Sequence, residues 1–515
     1  MRIMGVMRGW PPRVRVLAVV LALAVLGATG WLGYRVFGPD DSCAPGVVSR
    51  DGECVGVTDG SYAFGEEYLR DVFGRVAMEN AEVESSGLPY VTVAFVLPFT
   101  DPDPVQKDHV LTQVQGAYLA QYRANHRENE APPLIRLVLA NPGERSVWWE
   151  PMVDQLAEMA RSPEDNLRVV TGFDVSIPEN KSALRELTDE HGIPVVTGPV
   201  TADDIGNSPE EPDAFPGLVK VVADSGDQAE ALIDFAGGVD PERTLLVADQ
   251  REDDNYVASL REVFRARTEG TPRTEEPFTS PEDYNQEGNL PNVFDRMVNN
   301  ICDAETIDTL YFAGRPVQLR LFVNALGRRG CQDQTYDVMT ISAASTLATD
   351  DELDLDALRS GVEVIYTAHG HPEEWSGPDA PATGGSEEQY DDFLTLIDDA
   401  GLTGRVNLAD GRTMIMHDAV RTAVTGIRNA TVDDVTIPAL SDISEGWPQV
   451  RGEDNRVAGV TGWICLDNYG RAHNKAVAVV RLRAGEGDTT EIAFEGVAWP
   501  EGAPPPADCA VANRN

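Results

Sequence analysis

The stretch YVTVAFVLP at residues 90–98 decides the fold class of this chain. Its β-branched, aromatic and other apolar residues follow one another without polar alternation, which is typical of a strand buried on both faces, as in a parallel sheet. Apolar residues then recur at helical spacing from Val110 to Tyr122. A buried strand followed by a helix of this kind predicts the first βα unit of an α/β domain.

The same alternation of predicted strands and helices continues along most of the chain. It restarts after a loop rich in Pro and Asp at 207–217, which predicts two α/β halves of comparable size. Near the end, the segments 463–467 and 476–482 are predicted to pair as a hairpin. Further strands are predicted at 135–140, 167–173, 193–198, 218–222, 244–248, 307–313, 336–341 and 362–367.

The cysteines indicate export to an oxidising compartment. Their number is even, and none lies in a Cys-x-x-Cys metal or redox motif. Cys302 precedes the predicted strand 307–313 and Cys331 follows the next helix, so a right-handed βα unit brings this pair to one end of the sheet. Pairing of nearest neighbours would join Cys43 to Cys54, Cys302 to Cys331 and Cys465 to Cys509, and other pairings stay open.

Residues 1–37 predict a membrane anchor. An apolar run from Val16 to Leu32, extended by its neighbours to residues 14–34, is long enough to cross the hydrocarbon core of a bilayer. The arginines before it predict a single pass through the cell membrane, with the N-terminus inside and the bulk of the chain outside. A cleaved signal peptide is the alternative, although no clear small-x-small cleavage site follows the run. The flanking arginines are Arg2, Arg8, Arg13, Arg15 and Arg35.

The charge balance argues against nucleic acid as a partner. The chain has 85 acidic and 41 basic residues, a formal net charge of −44. Such a surface repels phosphate backbones. The acidic excess therefore indicates solubility, salt adaptation or a high-GC origin rather than a particular function.

Motifs of the common enzyme classes are missing from the sequence, which holds no GxSxG, no GxxxxGK[ST] and no HExxH. His369 and His371 could begin a metal site, but no set of Cys, His or Glu at ligand spacing accompanies them. We interpret them as solvated loop histidines. The sequence thus predicts no catalytic residue, no metal site and no cofactor, and a protein that is not an enzyme.

The order of these segments resembles that of the type I periplasmic binding proteins, in particular the branched-chain amino-acid binding and receptor ligand-binding-region family. The resemblance covers about residues 88–500 and indicates a membrane-anchored, actinobacterial-type member. Beside residues 90–98, it rests on EHGIPVVTGPVT (190–201), FPGLVKVVADSGDQAEAL (215–232), TLYFAG (309–314) and MHDAVRTAVTGI (416–427).

The resemblance implies an α/β fold of two Rossmann-like lobes with parallel sheets and a hinge, preceded by one N-terminal transmembrane helix. Open parallel sheets bind ligands beyond the carboxyl ends of their strands, so the ligand is expected between the lobes. Closure of the hinge would then couple ligand capture to a change of shape. The expected organisation is a cytoplasmic tail and anchor at 1–37, an extracellular stalk or cap at 38–87, a first lobe at 88–222 plus 362–455, a second lobe at 223–361 plus 456–500, and a C-terminal tail at 501–515.

The resemblance also implies ligand-binding residues. In relatives that bind amino acids, hydroxyls and amides after the third and fourth strands hold the ligand, and an acid in the second lobe completes the ammonium site. Thr201 matches the fourth-strand hydroxyl and Ser176 lies near the third-strand one. Ser342 stands where the family has its acid, which puts an amino-acid ligand in doubt. Arg315 would favour an anionic ligand if it faces the cleft, and is otherwise a solvated surface side chain.

Two more candidates follow predicted strands. Asp249 begins an acidic group after the strand 244–248, and Thr100 begins a similar group after the first strand. Carboxylates in these places could hold a cation or a polyamine. The alternative is a solvated turn in each case.

Two functions fit these features. One is an extracellular solute-binding protein that captures a small polar molecule, amino-acid-like or anionic, for an ABC-type importer and its permease. The other is a tethered sensor or surface interaction module with a diverged ligand site and a membrane signalling partner. Convergent polar groups in the cleft would favour a ligand, whereas apolar filling would favour an interaction role.

Overall fold

The computed structural model describes residues 42–128, 132–272, 275–432 and 437–511, which form two α/β lobes. The strands are β1 (Ser42–Ala44), β2 (Val47–Arg50), β3 (Glu53–Thr58), β4 (Tyr90–Val96), β5 (Leu134–Asn141), β6 (Leu167–Gly172), β7 (Val195–Thr197), β8 (Leu218–Lys220), β9 (Thr244–Asp249), β10 (Glu276–Phe278), β11 (Thr309–Ala313), β12 (Tyr336–Thr340), β13 (Val362–Ala368), β14 (Val457–Gly459), β15 (Gly462–Ile464), β16 (Val477–Ala484) and β17 (Thr490–Ala498). The α-helices are α1 (Arg70–Ser85), α2 (Pro104–His126), α3 (Trp149–Arg161), α4 (Pro178–Arg185), α5 (Ser225–Phe235), α6 (Asn255–Arg267), α7 (Leu290–Cys302), α8 (Pro316–Gly327), α9 (Leu355–Arg359), α10 (Glu387–Asp399), α11 (Arg412–Ala430) and α12 (Leu440–Gly446).

The sheet of the first lobe has eight strands in the order β1-β2-β3-β5-β4-β6-β7-β8. The strands from β5 to β8 in this order run parallel, and β3 joins β5 in the antiparallel sense. Val91, Val93 and Phe95 of β4 enter one hydrophobic core, whereas Ala94 and Val96 enter another. Both faces of β4 are therefore buried, as its unbroken apolar run predicts.

The sheet of the second lobe has seven strands in the order β10-β9-β11-β12-β13-β16-β17. The first five run parallel, and β16 and β17 add to them in the antiparallel sense. Leu310 and Phe312 of β11 pack in one core, and Tyr311 and Ala313 in the other. The prediction of two Rossmann-like lobes is confirmed, although each sheet carries antiparallel strands at one edge.

The chain crosses between the lobes after β8, after β13 and before β16. The predicted return to the first lobe at residue 362 was wrong, because β13 pairs parallel with β12, with Tyr336 opposite Val362. An apolar run predicts a strand, but it does not say which neighbouring strand offers the matching hydrogen bonds.

The last crossing also lies later than predicted. Val457, Val460 and Ile464, in and around the β14-β15 hairpin, pack in the core of the first lobe, so the assignment of 456–500 to the second lobe was wrong at its start. The predicted hairpin of 463–467 with 476–482 was wrong as well, because β16 pairs with β13 and β17.

The described part of residues 38–87 belongs to the first lobe, so the prediction of a stalk or cap was wrong there. β3 pairs with β5, with Gly56 opposite Asn141. On α1, the Nδ2 of Asn80 donates to the carbonyl oxygen of Leu137 at 2.7 Å, and its Oδ1 accepts the amide of the same residue at 2.9 Å. These bonds fix α1 on the edge of β5.

The disulfides join Cys43 to Cys54, Cys302 to Cys331 and Cys465 to Cys509, which confirms the pairing of nearest neighbours. The Cα atoms of Cys302 and Cys331 lie 5.6 Å apart, at the end of α7 and beyond α8. The third bond holds part of the predicted C-terminal tail, residues 501–511, against the first lobe.

No helix within the described ranges is both long and apolar enough to cross a membrane. The predicted span at residues 14–34 lies outside those ranges.

Candidate ligand-binding cleft

A cavity of about 110 Å³ lies between the two lobes, at the carboxyl ends of their parallel strands. Residues that follow β6 and β7 line it from the first lobe, and residues that follow β9, β11 and β12 line it from the second. The lining residues are Asp103, Val105, Gln106, Asp174, Val175, Ser176, Pro199, Thr201, Tyr256, Tyr284, Asn285, Arg315, Pro316, Val317, Ser342, Ala343, Thr346, Asp350, His369 and Arg412.

Ser176 and Thr201, which the resemblance implies as ligand-binding, both line this cavity, but their polar groups are bonded within the protein. The Oγ of Ser176 accepts the amides of Thr201 and Ala202, both at 3.1 Å. The Oγ1 of Thr201 accepts the hydroxyl of Ser225 at 3.1 Å, and its carbonyl accepts the amide of Ser225 at 2.7 Å. The amides of Thr201 and Ala202, which could hold a ligand carboxylate, are therefore bonded to Ser176, whereas the hydroxyls of Ser176 and Thr201 act as acceptors in these bonds.

Arg315 faces the cleft and is not a solvated surface side chain, since it is only 6% exposed. It precedes Pro316, which opens α8 with its fixed φ angle. Its Nε and Nη2 donate to the two carboxylate oxygens of Asp254 at 2.8 and 2.9 Å, and Nη2 also donates to the carbonyl of Ser176 at 2.7 Å. The guanidinium thus forms a bidentate ion pair within the second lobe and bridges to the first.

Asp254 is the partner that neutralises this arginine. Burial by itself would raise the pKa of Asp254, but the charge and hydrogen bonds of Arg315 outweigh burial and hold the pKa below its ordinary value. The rings of Tyr256 and Tyr284 lie 5.0 and 4.9 Å from the guanidinium carbon. A ligand anion would have to compete with Asp254 for the Nε and Nη2 of Arg315.

Ser342 also lines the cavity, at the start of the 3₁₀-helix Ser342–Thr349. Its amide donates to the Oε1 of Gln228 at 3.4 Å. The structure therefore brings together four of the six predicted ligand-binding residues.

Thr100 and Asp249 do not line the cavity. The Oγ1 of Thr100 accepts the Nδ2 of Asn141 at 3.1 Å. The buried Oδ1 of Asp249 accepts the amides of Arg251 and Ser280 at 3.2 and 3.1 Å, so it fixes the loop after β9. Thr100 follows β4 and Asp249 ends β9, but the oxygen of Thr100 is bonded to the side chain of Asn141 and that of Asp249 to backbone amides, and neither residue lines the cleft.

Arg412 reaches the cavity although nothing in its sequence context predicts it. Gly411 precedes it with a φ of +74°, and a side chain there would meet the carbonyl oxygen of Gly370 at 2.5 Å, so glycine sets where α11 starts. The Nη2 of Arg412 donates to the Oγ of Ser345 in the second lobe at 2.9 Å, and its Nε lies 3.5 Å from the Oδ2 of Asp410.

His369 and His371 lie in the loop after β13 as predicted, but His369 is half-buried and His371 is buried, so their interpretation as solvated histidines was wrong. His369 lines the cavity, where burial and the nearby charges of Arg412 and Lys475 lower its pKa to about 3. His371 is buried and stacks on Phe494, with ring centroids 5.2 Å apart. His369 therefore contributes a neutral ring to the cleft.

Asp174 is a further lining residue that the sequence did not single out, two positions after β6. Its Oδ2 accepts the Nε2 of Gln113 at 3.2 Å. Its Oδ1 is buried and makes no hydrogen bond with any described residue. Burial raises the pKa of Asp174.

A group with metal-ligand geometry in the described chain lies on the first lobe, away from the cavity lining. Ligand atoms of Glu79, Glu82 and His126 all lie within 4.8 Å of one another. Glu79 already accepts the Nδ2 of Asn125 at 2.8 Å and pairs with His126 at 3.0 Å. These contacts account for the cluster as a hydrogen-bonded link between α1 and α2.

No family model matches the chain, and no curated protein matches it. Among solved structures, the leucine-binding protein LivK of Thermotoga maritima is 17% identical, with a TM-score of 0.55 over 80% of this chain and 99% of that one. LivJ of Streptococcus pneumoniae, a branched-chain amino acid transporter substrate-binding protein in complex with isoleucine, is 13% identical, with a TM-score of 0.54 over 79% and 100%. A solute-binding protein of an ABC transporter of Rhodopseudomonas palustris, in complex with p-hydroxybenzoic acid, is 12% identical, with a TM-score of 0.56 over 81% and 98%.

At these identities the likeness concerns the fold. It confirms the expected two-lobed architecture of the type I periplasmic binding proteins. It does not bear on membrane anchoring or on an actinobacterial type.

Proposed function

We propose that this chain is an extracellular solute-binding protein that captures a small polar molecule between its lobes and presents it to an ABC-type importer. The cavity between the lobes carries this proposal, because polar side chains of both lobes converge on it. Such concave sites with a few convergent polar groups are the usual form of small-molecule sites. The neighbours by fold that bind leucine, isoleucine and hydroxybenzoates support it by analogy.

We also propose that residues 14–34 anchor the protein in the cell membrane, with the N-terminus inside and an ABC permease as partner. The three disulfides support an oxidising location for the described chain.

A tethered sensor is the second candidate function, and one observation favours it. The backbone amides of Thr201 and Ala202 and two of the three side-chain nitrogens of Arg315 are bonded inside the protein. A cleft that has lost its ligand would show such internal pairing.

A thermal-shift screen of the full chain, purified in detergent and followed by tryptophan fluorescence, distinguishes the two functions. The panel consists of amino acids, hydroxybenzoates, sugars, nucleosides, polyamines and divalent ions. A solute that binds only the native state adds about 2.7 kcal/mol of stability at 100 times its dissociation constant. We expect a saturable rise of the melting temperature with one solute class. A folded protein that responds to no solute would contradict the importer role and favour the sensor.

A further inference from the structure

The charged side chains on the cavity wall mostly have counter-ions. Arg315 pairs with Asp254 at 2.8 Å, and Asp350 pairs with Arg320 at 3.0 Å. Arg412 has Asp410 beside it at 3.5 Å. The charges of Arg315 and Asp350 are therefore balanced before any ligand enters, whereas the Nε of Arg412 makes no hydrogen bond in the described chain.

Asp103 is satisfied in another way. It caps the N-terminus of α2, where its Oδ1 accepts the amides of Val105 and Gln106 at 2.8 and 3.3 Å. The first turn of a helix carries a partial positive charge that favours a carboxylate in this position.

Among the acids that line the wall in the described chain, Asp174 has neither an ion pair nor a helix-capping role. No described side chain forms an ion pair with it, and Gln113 is the described donor to its Oδ2. Its Oδ1 stays buried without a hydrogen bond in the described chain. The charges of Arg412 and Arg315 act on it from a distance, but burial outweighs them and its pKa stays raised. A carboxylate oxygen that is buried without a partner is costly, which is the state expected of a group that awaits a ligand.

The surroundings of Asp174 add to the negative field. Asp101 is only 4% exposed, and burial together with the charges of Glu144, Asp103 and Asp174 raises its pKa to about 6. Several carboxylates are thus crowded at this end of the first lobe. A cation is the ligand charge that this arrangement would stabilise.

Several of the donors that could hold an anion already bond within the protein. The amides of Thr201 and Ala202 donate to Ser176, and two nitrogens of Arg315 donate to Asp254. A ligand carboxylate that used these donors would have to break their bonds, whereas an ammonium group would find the free Oδ1 of Asp174.

From these contacts we infer that the ligand is a small organic cation whose ammonium group donates to the Oδ1 of Asp174. The inference rests on the proposed solute-binding function and names the class of solute. The cavity volume of about 110 Å³ selects a short amine.

Two matched sets of compounds test this inference on the full chain. The first set is putrescine, 1,4-butanediol and succinate, and the second is tyramine, tyrosol and 4-hydroxyphenylacetate. Within each set the size is similar and the charge changes from positive to neutral to negative. We expect a rise of the melting temperature, and heat of binding by calorimetry, with an amine and not with its neutral or acidic analogues.

The variant Asp174→Asn removes the charge and keeps the shape of the side chain. We expect it to weaken amine binding by about tenfold or more, the usual effect of losing a charge-assisted hydrogen bond. The ligand-free variant should melt no lower than the wild type, because it no longer buries an unpaired charge. Asp253→Asn is the control, since it removes the same charge from a side chain that is 68% exposed and lies off the cavity lining. It should bind the amine within about twofold of the wild type, as exposed charges interact weakly.

The outcomes separate the inference from the proposed function. Stabilisation by succinate, 4-hydroxyphenylacetate or a neutral analogue, without an amine effect, overturns the cation inference and leaves the solute-binding function standing. Amine binding that Asp174→Asn leaves unchanged overturns the role of Asp174. Failure of both sets and of the wider solute panel overturns the function itself.

Discussion

At the scale of single residues, Arg315 shows what a sequence can and cannot reveal. Its position after β11 could be inferred from the order of strands, so its location at the cleft could be predicted from the sequence. Its partner Asp254 lies 61 residues earlier in the chain, and only the folded second lobe brings the two together. Asp174 could not be recognised from the sequence either, because only the folded structure shows that no described side chain bonds to its Oδ1.

The Arg315–Asp254 pair leads to a stability prediction. Asp254→Asn keeps the amide capping of α6 but leaves the buried guanidinium without its charge partner. Breaking a buried pair by removing one partner costs about 3–5 kcal/mol. Urea unfolding of the variant should show a loss of this size, with Asp253→Asn as a control that changes stability by less than about 0.5 kcal/mol. A loss below about 1 kcal/mol for Asp254→Asn would contradict the pairing.

Asp101 gives a prediction for pH. Its pKa in the folded protein is raised to about 6, above the ordinary value of 3.8, so the folded state binds the proton more tightly than the unfolded state does. The stabilising contribution of protonated Asp101 to the free energy of unfolding is therefore lost as the pH rises from about 4 to about 6.

The variant Asp101→Asn checks this sign. The difference in melting temperature, variant minus wild type, should grow between about pH 4 and about pH 6 and then level off. A difference that shrinks over this range would show that Asp101 has a stabilising partner when ionised.

At the scale of elements, the parallel strands other than β10 could be predicted to within a few residues. The run 90–98 contains β4, and 135–140 lies within β5, because a strand covered on both faces must be apolar throughout. The short strands β1, β2, β3, β10 and β14 were missed, and so was β17, which keeps many half-exposed residues. The lobe to which β13 belongs could not be predicted, because the pairing partner of a strand follows from the register of its hydrogen bonds and not from its composition.

The packing of α1 against the first lobe can be tested by a substitution of Asn80. Its amide group holds both backbone groups of Leu137 and also bonds to Gln121. Asn80→Ala leaves these buried polar groups without partners, so we expect a loss of about 2–3 kcal/mol in urea unfolding. Asn299→Ala, on the exposed face of α7, is the matched control and should change stability by less than about 0.5 kcal/mol. Equal effects of the two changes would contradict a structural role for α1 in the lobe.

The Cys302–Cys331 bond closes a loop of 29 residues around one strand and one helix of the second lobe. Replacing both cysteines by alanine should lower the unfolding free energy by about 3–4 kcal/mol, the entropy cost of such a loop. If the double variant unfolds at the urea concentration of the wild type, the bond does not constrain the unfolded chain as assumed.

At the scale of the whole molecule, the two lobes and the cleft between them were predictable, and the chemistry of the cleft was not. Alternating strands and helices specify two sheets, and sheets of this kind place ligands beyond their carboxyl ends. Which charges meet there depends on chain segments far apart in sequence, such as Arg412 in the first lobe with Ser345 in the second.

The most direct test of the central claim repeats the solute screen with the cleft filled. Ser342→Phe places a ring in the cavity, and Ser441→Phe places the same ring on an exposed turn of α12. Circular dichroism first establishes that both variants are folded. We predict that a solute that raises the melting temperature of the wild type also does so in Ser441→Phe, and fails to do so in Ser342→Phe. An equal response of Ser342→Phe, or no response of the wild type to any solute, would contradict binding between the lobes.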